Sequence, residues 1–232
     1  MKNYIEGTII RIGCGNDIQS QDDAAAIRNM DECERLGIPY GVYLYSYALD
    51  YYDAASETAH ALRLLKGRSP ELGVWFDMED ADGYKARNGL DVYSEGELLS
   101  DFCEMFVNAM RVSGYKTGVY ANYNYFTNVL NLDRLKSIPE MNIWLAHWEI
   151  DSPSLDCTMW QFGAVEIEDE EYDGNIYYSD YSVKNDGNTD ETIRTDDSSS
   201  NNINVYYQTK LATGRWLPVV KNNEDLSLIH IS

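Results

Sequence analysis

Hydrophobic and polar positions follow two different periods along the first 180 residues of the chain. Apolar residues recur every three or four positions in segments that predict helices, at 21–36, 54–65 and 94–112. Shorter β-branched and aromatic runs predict seven strands, at 7–12, 40–47, 73–78, 117–121, 142–146, 158–161 and 175–178. Strands that alternate with helices are typical of parallel β/α units.

This order of elements predicts an α/β fold built as an irregular β/α barrel. In such a barrel the active site lies at the C-terminal ends of the strands. An open, doubly wound sheet is the alternative. It is disfavoured because no glycine-rich phosphate-binding loop follows the first predicted strand.

Composition divides the chain into a main domain and a polar tail. Residues 1–183 carry the periodic pattern, whereas residues 184–203 are rich in Asn, Asp, Ser and Thr and predict a flexible acidic linker. Residues 204–226 predict the start of a small C-terminal β module. The last residues, 227–232, are interpreted as a non-native tail.

Charge and hydropathy exclude several classes of partner. The formal net charge is −21, with acidic residues concentrated from Glu149 onward, so nucleic acid binding is not expected. No apolar run approaches the roughly 18 residues that predict a membrane-spanning helix, and the first residues show no signal peptide pattern. The four cysteines lie far apart, which predicts free thiols rather than a zinc site or a disulfide framework.

The strongest local signal for chemistry is a pair of acidic residues, Asp77 and Glu79, in the sequence FDMEDADGYK. Side chains two apart on a strand point to the same face, with Cα atoms roughly 6 to 7 Å apart. Two carboxylates in one barrel mouth repel each other, which raises the pKa of one of them. Glycoside hydrolysis uses such a pair, a protonated acid and a charged carboxylate. Helix capping and metal binding are the alternatives for this motif alone.

Aromatic residues near other strand ends favour the glycosidase interpretation. The chain has 19 Tyr and 5 Trp but only 5 Phe, which suits an amphipathic groove better than a dry core. Sugar rings bind by stacking on such side chains. The candidate aromatic contacts are Tyr45, Tyr47, Tyr120, Trp144 and Trp148. Alternatively, about half of these side chains fill the barrel interior.

Six segments in consecutive order give the chain a family resemblance. RIGCG, GIPYGVYLYSYA, VWFDMEDADGY, SGYKTGVYAN, IWLAHW and MWQF resemble the strand signatures of family 25 lysozymes, over about residues 5 to 181. The linker and the sequence WLPVVKN resemble the tail module of related clostridial and phage enzymes. Asn122 and Gln161, which lie in two of the six segments, are added to the candidate substrate-binding residues.

The resemblance implies an N-acetylmuramidase that cleaves the β-1,4 bond between N-acetylmuramic acid and N-acetylglucosamine in bacterial cell walls. Glu79 matches the general acid and Asp77 the partner carboxylate, while Tyr45, Tyr120 and Trp144 match groove positions. No metal or cofactor is implied. The expected partner is a peptidoglycan glycan strand, the expected location is the cell wall or the outside of the cell, and the expected state is a monomer.

Two departures from the family pattern affect the expected activity. Family members open with a strand that bears an Asp, in a pattern like DVSxxQG, and this chain begins after it, so two strand edges are expected to be unpaired. Where the family shows a GNVD-like strand, the chain has GNIYYSDY, which puts Tyr177 or Tyr178 at the Asp position. Asp180 is the candidate substitute if a bulge shifts the end of that strand.

Two other functional classes stay open at the level of sequence. The two departures favour a catalytically inactive fragment or a carbohydrate-binding remnant of such an enzyme. A surface protein that displays an acidic barrel is supported by composition alone. Whether a hydrolase of this kind retains or inverts the anomer depends on the separation of its carboxyl groups.

Overall fold

In the computed structural model, the described residues are 6–167, 170–178 and, for the backbone alone, 203–208. These residues form a mixed α/β fold around one curled sheet. Its strands are β1 (Thr8–Cys14), β2 (Tyr40–Tyr45), β3 (Val74–Asp77), β4 (Thr117–Asn122), β5 (Asn142–Ala146), β6 (Met159–Ile167), β7 (Glu170–Tyr177) and β8 (Ile203–Gln208). Its helices are α1 (Ala26–Leu36), α2 (Tyr51–Leu64), α3 (Tyr84–Arg87), α4 (Gly96–Val112), α5 (Tyr123–Asn128) and α6 (Leu132–Lys136).

The strands hydrogen bond to one another in chain order. Neighbouring strands from β1 to β6 are parallel, and β7 is antiparallel to both β6 and β8. Strand β8 also pairs in parallel with β1, so the curled sheet closes on itself. A doubly wound sheet reverses its strand order part-way, and the described strands do not.

The expectation of two unpaired strand edges is wrong for β1 and β7. Backbone N–H and C=O groups on both edges pair with residues 203–208, which satisfies edges that would otherwise be open. Residues 204–208 were expected in a separate C-terminal module, and they lie in β8 instead. The other residues of the predicted linker, of the predicted module and of the 227–232 tail lie outside the described residues.

Helix ends follow the local sequence. Helix α1 ends at Leu36 and is capped by Gly37, whose φ of 66° is a left-handed conformation that glycine adopts without strain. The helix begins later than expected, at Ala26, because residues 19–21 form a 3-10 turn and the Asp23 carboxylate accepts hydrogen bonds from Ala25 N and the Arg11 side chain. Helix α2 begins after Asp50, whose carboxylate accepts from two backbone N–H groups.

Two hydrophobic clusters lie on opposite faces of the sheet. The outer cluster fills the space between strands and helices and contains mostly aliphatic residues and Phe. The inner cluster lies within the ring of strands and is largely aromatic, with Tyr43, Trp75, Trp144 and Tyr177. Strand residues therefore alternate between the helices and the interior of the ring.

All four cysteines are free, and Cys33 and Cys103 are buried in the outer cluster, as the sequence predicts. None of the helices in the described part of the chain is long and apolar enough to cross a bilayer.

Candidate active site

The end of β3 carries the acidic pair toward the mouth of the ring. Trp75, two residues before Asp77, is buried in the inner cluster. The intervening residue Phe76 points to the helices, where its ring stacks on Phe106 with centroids 4.5 Å apart. Met78 is fully buried in the same outer cluster. This alternation puts Asp77 and Glu79 on the inner side, where the sequence predicts them.

Asp77 is the deeper member of the pair. It pairs in register with Tyr45 of β2 and Tyr120 of β4, and only 5% of its surface is exposed. Its Oδ1 has no hydrogen-bond partner among the described residues. Burial, followed by the negative charge of Glu79, raises the pKa of Asp77 well above its usual range.

Glu79 is less buried, and the described hydrogen bonds to its carboxyl group come from one residue, Asn122. Its Oε1 accepts hydrogen bonds from the backbone N (3.1 Å) and the side-chain Nδ2 (2.9 Å) of Asn122. Asn122 is oriented in turn because its Oδ1 caps α5 by accepting from Tyr125 N at 3.0 Å. Burial raises the pKa of Glu79, and the two hydrogen bonds from Asn122 act in the opposite direction.

The two alternatives for the acidic motif are not supported by these contacts. Helix capping is performed by neighbouring acidic residues, since Asp80 accepts from Lys85 N and Ala86 N, and Asp82 accepts from Tyr84 N. No group of three or more His, Cys, Asp or Glu side chains placed to hold a metal ion occurs within the described residues.

On the strands that follow β3 in the ring, an amide joins two aromatic residues. Gln161 Oε1 accepts hydrogen bonds from the Tyr120 hydroxyl at 3.1 Å and from Trp148 Nε1 at 3.0 Å. Trp148 remains 45% exposed, so it presents an indole face to solvent beside this polar contact. Tyr120 is close enough to Asp77 and Glu79 for their charges to raise its pKa, after the larger effect of burial.

Two tyrosines connect the end of β2 to the loop that follows β3. The rings of Tyr45 and Tyr47 lie 5.1 Å apart, edge to face. The Tyr45 hydroxyl accepts from Ala81 N at 3.1 Å, and the Tyr47 hydroxyl donates to Asp82 Oδ2 at 2.9 Å. Burial, followed by the negative charge of Asp77, raises the pKa of Tyr45.

Trp144 lies in a different place from the one its expected role requires. It is 1% exposed, its Nε1 donates to Asn175 Oδ1 at 2.8 Å, and its ring packs against Tyr120 at 4.5 Å. The side chain points into the ring, where it belongs to the inner cluster and its ring centroid lies 5.8 Å from that of Trp75. Trp144 therefore packs against Tyr120 and is too buried to offer a face to a sugar.

Strand β7 contributes a carboxylate that the sequence analysis missed. Asp173 lies two residues from Asn175 on β7 and so shares its inner face. Its charge contributes to the raised pKa of Tyr120, and burial raises the pKa of Asp173 itself. Tyr177, one of the two tyrosines at the expected Asp position, is fully buried in the inner cluster. Asp180, the predicted substitute, lies outside the described residues.

With this geometry, comparison with known proteins identifies the family. The model of the family described as glycosyl hydrolases family 25 matches residues 5–171. The chain belongs to this family. The resemblance in the strand segments is thus confirmed, and family membership places the chain among the glycoside hydrolases. A search of curated proteins found no significant match to this family 25 chain.

Solved structures share the fold of this family 25 chain. The CTP1L endolysin aligns with a TM-score of 0.56 and 21% identity, over 70% of this chain and 54% of the endolysin. The modular autolysin LytC from Streptococcus pneumoniae, solved with a synthetic peptidoglycan ligand, aligns with a TM-score of 0.57 and 22% identity, over 71% of this chain and 38% of LytC. The catalytic domain of endolysin ply40, from bacteriophage P40 of Listeria monocytogenes, aligns with a TM-score of 0.52 and 20% identity, over 72% of this chain and 78% of the ply40 domain. The chain spans about half the length of CTP1L and less of LytC.

Proposed function

We propose that this family 25 chain is a lysozyme-type peptidoglycan hydrolase that cleaves the β-1,4 bond between N-acetylmuramic acid and N-acetylglucosamine. The observation that carries the proposal is the asymmetric carboxyl pair at the end of β3. One member, Glu79, is partly accessible and oriented by Asn122, and the other, Asp77, is almost fully buried. Glycoside hydrolysis requires two carboxyl groups in different environments.

In this proposal Glu79 is the general acid. The acid must reach the glycosidic oxygen, and of the two carboxyl groups Glu79 is the more accessible. Both described hydrogen bonds to its side chain end on Oε1, which leaves Oε2 as the atom to carry and deliver the proton. Asn122 fixes the direction of the carboxyl plane, because its own side chain is held by the cap of α5.

Asp77 is proposed as the partner carboxylate that positions and polarises the reacting centre, directly or through the substrate's acetamido group. Burial raises the pKa of both carboxyl groups, and the charge of Glu79 also raises that of Asp77, so in the free site the two groups titrate as a pair. In the proposed reaction, Glu79 carries the proton while Asp77 is ionised. Asp173 is the described candidate for a third carboxylate, while the proposed role of Asp180 stays a prediction.

The groove proposed for the glycan is bounded by residues from four strands. Trp148 supplies an exposed indole face, and Tyr45 and Tyr47 supply a second aromatic wall. Gln161 and Asn122 offer amide groups between these walls. The proposed setting is an irregular β/α barrel that acts as a monomer on the cell wall, without metal, cofactor or nucleic acid. LytC, which has been solved with a peptidoglycan ligand, supports this class of substrate.

The test is replacement of Glu79 by Gln. We expect Glu79→Gln to lower the rate of release of reducing ends from purified peptidoglycan by about 100- to 10,000-fold, the usual contribution of a general acid. Glu95→Gln, a matched change at an exposed glutamate, should leave the rate unchanged. Thermal unfolding of both variants checks that the fold is intact. Undiminished turnover by a folded Glu79→Gln variant would remove Glu79 from the mechanism.

A second candidate function is carbohydrate binding without cleavage. The burial of Tyr177 in the inner cluster, at a position where the family pattern has an Asp, favours it. This candidate predicts that the wild-type chain binds soluble peptidoglycan fragments in calorimetry without producing new reducing ends. Turnover by the wild-type chain would exclude it.

A further inference from the structure

A buried lysine lies behind the acidic pair. Lys85, on the short helix α3, has no solvent exposure. Its Nζ donates to two backbone carbonyl groups, Ser46 O at 2.5 Å and Glu79 O at 2.8 Å. A buried ammonium group is costly unless charges and hydrogen bonds compensate it, so its retention at this position calls for a physical reason.

The two carbonyl groups belong to the ends of the strands that form the site. Ser46 directly follows β2, and its backbone N donates to Asp77 O at 3.0 Å. Glu79 follows β3. Asp80 closes the same loop from the other side, because its carboxylate accepts from Lys85 N at 2.7 Å. The Lys85 side chain therefore ties α3 to the backbone of Glu79 and to the strand end beside Asp77.

Titratable groups surround Lys85 on several elements. Burial lowers the pKa of Lys85, while the carboxyl groups of Glu57 on α2, Asp77 on β3 and Asp80 in the loop raise it. The Cys103 thiol on α4 also acts on Lys85, but burial raises the pKa of that thiol and so favours its neutral form. The Nζ also lies 6.0 Å from the centroid of the Tyr45 ring.

Glu57 belongs to the same buried network. It is fully buried and is linked to Lys85 through Ser46, whose Oγ donates to Glu57 Oε2 at 2.8 Å. Tyr47 N donates to the other oxygen at 2.6 Å. Burial raises the pKa of Glu57 to about 7, and the charge of Lys85 lowers it.

Lys85 is the described cation that acts on both members of the acidic pair. Its charge lowers the pKa of both Asp77 and Glu79. The other described cation that affects Asp77 is Arg11, which also forms an ion pair with Asp23 at 2.8 Å. For Glu79, the remaining groups that stabilise the ionised form are the two donors of Asn122.

We propose that Lys85 is a positioning residue that clamps the ends of β2 and β3 together and supplies the positive charge beside Asp77 and Glu79 that keeps one of them ionised. The proposal rests on the proposed function of the acidic pair. It assigns Lys85 no contact with substrate. Its side chain acts through the backbone of Glu79 and Ser46, and through its charge.

Three substitutions separate the charge from the clamp. Lys85→Met removes the charge and the donors, Lys85→Gln keeps a donor without the charge, and Lys85→Arg keeps both in a larger group. Lys66→Met, at an exposed lysine on the same protein, is the matched control. The first readout is the pH profile of kcat and KM for release of reducing ends from peptidoglycan.

We expect Lys85→Met and Lys85→Gln to lower kcat at least about 10-fold with KM within about twofold, which is the pattern for loss of an interaction that acts in the transition state. Both limbs of the pH profile should move to higher pH, because loss of the ammonium raises the pKa of both carboxyl groups. Lys85→Arg should keep limbs close to those of the wild type. A drop in kcat without movement of either limb would reduce Lys85 to a structural residue and overturn the proposal.

The second readout does not need activity. Carbon-13 NMR titration of the side-chain carboxyl groups of residues 77 and 79, without substrate, should show higher midpoints in Lys85→Gln than in the wild type or Lys66→Met. If the wild-type chain releases no reducing ends but the midpoints are higher in Lys85→Gln than in the wild type, the proposed hydrolase function is contradicted and the role of Lys85 is supported. Unmoved midpoints, or failure of all three Lys85 variants to fold, would overturn the role of Lys85 alone.

Discussion

Strand β3 presents two faces with opposite chemistry. The outer face, with Phe76 and Met78, is apolar, fully buried and packed against the helices. The inner face ends in Asp77 and Glu79, two carboxyl groups whose pKa values are raised by burial. The outer face is expected to stabilise the fold, and the inner face to reduce its stability while supplying a proton donor.

The two faces of β3 also differ in the contacts that their side chains require. Apolar side chains on the outer face need only matching shape. The inner face needs hydrogen-bond partners, and it has them unevenly: Glu79 receives two donors from Asn122, whereas Asp77 Oδ1 has no partner among the described residues. An unsatisfied buried carboxyl group is a source of instability that selection for stability alone would remove.

The largest effect on stability is expected from the outer face. Phe76→Ala should lower the free energy of unfolding by about 3 to 5 kcal/mol, because it removes a buried ring stacked on Phe106 and leaves a cavity. Urea denaturation followed by circular dichroism measures the change. Tyr52→Ala, at a side chain that is 87% exposed, should change the same quantity by less than about 0.5 kcal/mol. A loss below about 1 kcal/mol for Phe76→Ala would contradict this assignment of the faces.

A substitution on the inner face should change the free energy of unfolding in the opposite direction. At pH 7, Asp77→Asn is expected to raise the free energy of unfolding by about 1 to 3 kcal/mol, because the amide is neutral at every pH, whereas the buried carboxyl group must either hold a proton or carry a charge out of water. The same change should lower turnover, since it removes the proposed partner carboxylate. Stability and activity would thus move in opposite directions at one residue.

The pH dependence of this effect has a defined sign. The pKa of Asp77 is raised in the folded state above the ordinary value of 3.8, so the folded state binds the proton more tightly than the unfolded chain does. Its contribution to stability is present below that value and is lost as the pH rises through the folded-state pKa. Asp77→Asn should therefore flatten the fall in stability above about pH 4, and Asp151→Asn at an exposed residue should not. A parallel fall in Asp77→Asn and wild type would contradict the raised pKa.

The parallel half of the fold could be predicted from the sequence because each strand and long helix carries its own periodicity. Strands β2 to β5 and helices α2 and α4 lie within a few residues of their expected positions. Helices α3, α5 and α6 were not predicted, since a helix of four to six residues is too short to show a 3.6-residue period. The length of the β6 and β7 hairpin was also missed, because Gly163 and the acidic residues near its end are typical of a loop.

For the candidate site, the sequence predicts only those features that follow from the alternation of side chains along a strand. Alternation along β3 put Asp77 and Glu79 on one face, but it could not distinguish the depth of Trp144 from that of Trp148. Trp144 lies within β5 and is buried in the inner cluster, whereas Trp148 lies beyond the end of that strand and is exposed. Lys85 and Glu57 look like ordinary charged residues in helices, and only packing against Ser46 reveals that they are buried. Asp173 was missed for a similar reason, because its strand was predicted to start later.

The smallest effect is expected where the groove is most exposed. Trp148→Ala should raise KM for soluble peptidoglycan fragments by about three- to tenfold, with kcat within about twofold, because one stacking face is worth about 0.5 to 1.5 kcal/mol. Trp148→Phe keeps an aromatic face but loses the hydrogen bond from Nε1 to Gln161 Oε1. If stacking dominates, Trp148→Phe should stay within about twofold of the wild-type KM. If the KM of Trp148→Phe instead rises to that of Trp148→Ala, Trp148 acts by orienting Gln161 rather than by contacting a sugar ring. The aromatic wall that binds the sugar would then be expected at Tyr45 and Tyr47.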